Sequence, residues 1–194
     1  RAEDLARFYS LAADGPLTSE ETRLREALVA NGIIRASGSA YEPGTGAVLS
    51  ISRESSYTLR ELLITHEAFH GVFFALPAFQ AACRAAWDAL DADEQAVWRA
   101  YLDLKGYNTA DPYLVVNEFQ SYLFQQERAE VPAFQATTLQ RVREAFPALA
   151  PVVRRIEAGR PDSFLGAFDT LDRALAAAGG PPGGRVLGVR RTVP

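Results

Sequence analysis

Residues 58–74 read TLRELLITHEAFHGVFF, and the reading of this stretch decides the architecture. Thr58 and Glu61 form a T-x-x-E pattern, in which each side chain accepts a hydrogen bond from the other residue's backbone N–H at a helix start. A helix is therefore predicted over residues 59–74. Pro77 ends it, because its ring removes a backbone donor and collides with the preceding turn. Inside this helix lies His66-Glu67-Ala68-Phe69-His70, an H-E-x-x-H pattern.

Upstream, residues 2–14 carry Leu5, Phe8, Tyr9 and Leu11 at helical spacing, and Gly15-Pro16 stops the pattern. Thr18 and Glu21 repeat the capping pair, and Leu24, Leu28 and Val29 predict an apolar stripe running to the helix stop at Asn31-Gly32. The period then changes. Ile33-Ile34 and residues 47–51 read as short strands on either side of a turn over residues 42–46. Downstream the chain is helical. Helices are predicted over residues 77–90 and 92–104, the second opened by Asp91 with Glu94 and closed by Gly106. Asp111-Pro112 starts another, since proline at the first helical position lacks only an N–H that has no helical acceptor. Pro132, Pro147 and Pro151 punctuate further segments, and residues 162–178 give the last amphipathic helix. The fold class is mainly α with a small β-sheet (α+β). One domain is expected over residues 1–178, followed by a flexible Gly/Pro-rich basic tail over residues 179–194.

The 194 residues carry a formal net charge of -4 with scattered basic residues, which argues against a nucleic-acid partner. No run of about 18 apolar residues occurs, so no membrane span is expected in this chain. The single cysteine, Cys83, reads as a small buried side chain in an Ala-rich helix. The chain starts at Arg1 and contains no methionine, which reads as a processed or trimmed product and favours an exported protein, periplasmic or secreted.

His66 and His70 are the only two histidines. Four residues apart on a helix, they share one face a turn apart, as two ligands of one tetrahedral zinc require. Glu67, about 100 degrees round the helix from His66, flanks such a site without entering it and is the candidate general base. A catalytic zinc needs a third protein ligand and an open position. No histidine remains, and the residues after His70 lack the glycine and third histidine of the longer H-E-x-x-H-x-x-G-x-x-H pattern. A carboxylate is the surviving choice, and Glu118, in Asn117-Glu118-Phe119-Gln120-Ser121-Tyr122 on a separate amphipathic helix, is the best placed.

His66 to His70 together with the Asn117-Glu118-x-x-Ser121 run resembles the gluzincins, the thermolysin-like clan of zinc peptidases, in their small single-domain form. The resemblance covers about a tenth of the chain. It implies a zincin-like fold, one Zn2+ per chain held by His66, His70 and Glu118, a peptide or protein substrate, and Glu67 as proton shuttle. Thermolysin-like enzymes carry an aspartate four residues after the ligand glutamate, where this chain has Tyr122. Another group, Asn117 or a backbone carbonyl, is expected to hold a zinc histidine instead. With no further histidine to stabilise an oxyanion, Tyr122 and then Tyr107 are the candidates. Residues 47–52 would be the strand against which a peptide pairs. The aromatic residues Phe69, Phe73, Phe74 and Phe79 read as core, and the basic tail as a solvated terminus. A zinc-binding module without turnover is the alternative from another class, and hydrolysis of a non-peptide amide is a third reading.

Overall fold

The computed structural model describes residues 2–12, 15–46, 48–49, 54 and 56–184. They form a mainly helical protein with one small two-stranded antiparallel sheet, the α+β class expected. It divides into two compact units, Arg1–Ser50 and Ile51–Pro194.

The first unit holds α1 (Ala2–Leu11), α2 (Ser19–Ala30), β1 (Ile34–Ser37) and β2 (Ala40–Pro43). The Thr18 capping box forms as predicted: Thr18 Oγ1 accepts from Glu21 N at 3.2 Å, and Glu21 Oε2 accepts from Thr18 N at 2.7 Å. The expected stripe on α2 is narrower than Leu24, Leu28 and Val29. Only Leu28 is buried, in a small core with Ala6, Tyr9 and Ile34. The hairpin also closes earlier than the sequence suggested. Ser37 pairs with Ala40 across Gly38-Ser39, and Gly38 sits at φ 61°, the left-handed conformation that a two-residue turn opened by glycine requires. Glu42 and Pro43 therefore end β2 and are not part of a turn. Of the strand predicted over residues 47–51, Val48 and Leu49 lie in no strand, and Ala47, Ser50 and Ile51 lie outside the described residues.

The second unit contains α3 (Tyr57–Ala75), α4 (Pro77–Ala89), α5 (Ala92–Leu104), α6 (Pro112–Phe124), α7 (Val131–Ala145), α8 (Ala150–Gly159) and α9 (Ser163–Ala177). The cap of α3 is Ser56, whose hydroxyl accepts from Leu59 N at 3.3 Å, and not Thr58. At Pro77 the chain turns by 107° into α4. Asp91 and Glu94 form the predicted box at α5, and Asp111 Oδ1 accepts from Tyr113 N and Leu114 N at the start of α6. Phe69, Phe73, Phe79, Trp98, Phe119, Phe124, Phe164 and Phe168 pack into one aromatic core that includes Cys83, whose thiol burial pushes up. Phe74, expected in that core, is 39% exposed. Helix α6 runs through the middle, buried from Val115 to Ser121 and again at Leu123 and Phe124. It is thus a central helix where the sequence predicted a one-faced one. No single helix among the described residues is long and apolar enough to cross a membrane.

Residues 179–184, predicted to be a flexible hinge, are seated on this unit. Gly184 N donates to Phe124 O at 3.1 Å and Gly183 N to Asp172 Oδ1 at 2.6 Å. A Cβ on Gly183 would lie 2.6 Å from the Phe124 ring, so only glycine fits that approach. The basic tail, residues 185–194, lies outside the described residues.

Candidate metal centre

Helices α3 and α6 pack together, and three side chains converge between them. The four-residue spacing on α3 sets the His66 and His70 rings edge to face, centroids 4.7 Å apart, with their Nε2 atoms 3.1 Å from each other. From α6, Glu118 points Oε2 to 3.3 Å from His66 Nε2 and Oε1 to 3.5 Å from His70 Nε2. Ligand atoms about 2.0–2.1 Å from a tetrahedral zinc lie about 3.3 Å from one another, which is the spacing this donor set has. His66 and Glu118 are each 5% exposed. Glu118 Oε2 is buried and accepts no hydrogen bond from the described residues, a cost that a cation beside it would offset. Among the described residues this group could hold a metal ion.

The far side of His70 fixes its tautomer. His70 Nδ1 lies 3.0 Å from Asn117 Oδ1 and 2.9 Å from Ser121 Oγ. Gln120 Nε2 approaches the same Asn117 oxygen at 3.3 Å, which suits an acceptor there and not an amide nitrogen. An amide oxygen only accepts, so the proton sits on Nδ1 and Nε2 turns its lone pair toward Glu118 and His66. Asn117 thus takes the place expected of it beside a histidine. Ser121 and Gln120 were not anticipated as partners. Their signal was present: Asn117, Gln120 and Ser121 stand three and four apart on one face of an otherwise apolar helix, a spacing that brings polar side chains together.

Tyr122 packs its ring against His66, centroids 4.6 Å apart, and its hydroxyl lies 3.4 Å from that of Tyr107. Burial pushes both phenols above their ordinary value, and Glu118 adds to each shift. The two hydroxyls share a hydrogen bond in which either can be the donor. Glu67 is half-buried on α3, and its charge reaches the Tyr122 hydroxyl, where it too disfavours the phenolate. Every residue singled out in the sequence as ligand, base or oxyanion donor is therefore at or beside this centre. The strand expected to line a peptide, residues 47–52, lies mostly outside the described residues. No family model, no curated protein and no solved structure matches this chain.

Proposed function

We propose that this chain is a zinc-dependent peptidase of the thermolysin-like kind, with His66, His70 and Glu118 as zinc ligands and Glu67 as general base. One observation carries the reading: two imidazole nitrogens and a buried carboxylate from separate helices stand at 3.1, 3.3 and 3.5 Å from one another, with a further carboxylate next to the first histidine. Zinc at such a centre supplies Lewis acidity, polarising a carbonyl and lowering the pKa of a coordinated water toward about 7. The chain's own groups do the rest. The Glu67 carboxylate takes the proton of the attacking water and returns it to the departing amine nitrogen. The Tyr122 hydroxyl, kept protonated by burial, donates to the oxygen that gains charge as the carbonyl carbon becomes tetrahedral. The Tyr107 hydroxyl, 3.4 Å from that of Tyr122, is its hydrogen-bond partner.

The test is Glu67→Gln, which keeps the shape of the side chain and removes its basicity. One zinc per chain is expected to remain while hydrolysis of a peptide library is lost; a variant as active as the parent would defeat the assignment. The second reading, a zinc module without turnover, draws on the burial of His66 and Glu118. Zinc-loaded parent chain that cleaves no peptide in that library would select it.

A further inference from the structure

We infer that Gln120 is a positioning residue of this centre: its amide holds the Asn117 oxygen toward the His70 Nδ1 proton and ties the α3 backbone beside His70 to α6. The inference rests on the zinc reading for its purpose, but not for its geometry. Gln120 is 0% exposed, in a helix whose neighbouring positions are filled by Val116, Phe119, Leu123 and Phe124. Its oxygen is buried without a partner among the described residues, so only its donors offset the cost of burying a primary amide, a cost a hydrocarbon would not carry. The donors are used on the ligand's own supports. Gln120 Nε2 lies 2.6 Å from Ser121 Oγ, 3.0 Å from Asn117 O, 3.3 Å from Asn117 Oδ1 and 3.2 Å from Phe69 O. Phe69 directly precedes His70, so one side chain reaches the backbone before the histidine and both partners of its ring.

The consequence concerns where a proton sits. With Gln120 Nε2 3.3 Å from Asn117 Oδ1, the Asn117 amide presents its oxygen, an acceptor only, to His70 Nδ1. Without that donor the Asn117 amide can turn its nitrogen to the ring and donate to Nδ1, which shifts the ring proton to Nε2, the atom that faces Glu118 and His66. A protonated Nε2 cannot ligate a cation. Partners of this kind change metal affinity by roughly 10–100-fold when lost.

The experiment compares the full chain with Gln120→Met, which keeps length and apolar bulk and loses both donors. Zinc affinity, from competition with a fluorescent chelator, is expected to fall about 10–100-fold. In the metal-free chain, nitrogen NMR of the His70 ring, at a pH where it is neutral, should show the Nδ1–H form in the parent and a mixture in the variant. Leu123→Ala, a buried change on the same helix that removes no polar group, should weaken the fold yet leave affinity and tautomer as in the parent. Parental zinc affinity and tautomer in Gln120→Met overturn the inference, and so does an equal loss in Leu123→Ala. If Gln120→Met does not fold, Gln120→Leu, which also lacks both donors, is read the same way. A parent chain that binds no zinc defeats the zinc reading alone, and the tautomer comparison then decides the role of Gln120.

Discussion

Glu118 is the residue on which the centre turns, because it is the one donor brought from a different helix. On the proposed ligand set, Glu118→Ala takes a ligand and not merely a support, so the loss of zinc affinity should exceed the roughly 10–100-fold attached to outer partners. A chelator competition titration measures it, and an unchanged affinity would remove Glu118 from the ligand set. Tyr122 makes a different kind of contribution. If its hydroxyl donates to the developing oxyanion, Tyr122→Phe should lower kcat by roughly 10²–10³, the loss of one such donor, with zinc content and KM nearly unchanged. A fall in zinc content instead would mean that the ring's contact with His66 is its whole role. His66, Glu67 and His70 were legible in the sequence, because helix geometry alone fixes how residues one and four apart are arranged. Asn117 was legible only as a choice between partners, and Gln120 only as a polar residue spaced to meet it, since which buried amide faces which ring depends on how two helices cross.

Elements were legible where local chemistry sets them. The caps at Thr18, Asp91 and Asp111 need only a short oxygen-bearing side chain before a helical run, and all three form. At α3 the same rule chose Thr58 over Ser56, because both hydroxyls precede the run and only the path of the entering chain decides between them. The hairpin was misplaced for a comparable reason: Gly38-Ser39 is a two-residue turn signal, but strands of four residues carry too little alternation to stand out beside the apolar run that follows. Residues 179–184 show the opposite error, in which a Gly/Pro composition that suits a flexible linker serves close packing against Phe124, Phe168 and Leu175. Gly183→Ala accordingly places a methyl where the Phe124 and Phe168 rings already sit. It should cost about 1–3 kcal/mol in chemical denaturation, the range for overpacking a filled site. A linker would tolerate the change.

Each of the two units has its own core, Ala6, Tyr9, Leu28 and Ile34 in the first and the aromatic cluster in the second, and every residue of the candidate centre belongs to the second. That core also holds the phenols. Tyr101, Tyr107 and Tyr122 are all raised above the ordinary value of 10.0, burial being the largest cause for each. A group that holds its proton more tightly when folded contributes stability that is complete below its unfolded pKa and is lost as pH rises past it toward the folded one. The protein should therefore keep its melting temperature up to about pH 10 and lose it steeply above that. Replacing Tyr107 with Phe should flatten this alkaline fall, and a melting curve insensitive to pH there would show the phenols to be free to ionise.

By itself, the sequence determined the helices, the caps at Thr18, Asp91 and Asp111, and the pairing of two histidines with a glutamate, because these depend on spacing along one chain and on hydrogen bonds within a few residues. It reached Glu118 by elimination, as the acid left when histidines ran out. Only the tertiary structure decided that α3 and α6 cross with Glu118 facing both imidazoles, that α6 is enclosed by the core, and that Asn117, Gln120 and Ser121 turn toward His70. Those outcomes follow from how side chains of distant segments fill a shared interior, a three-dimensional fit that no local period encodes.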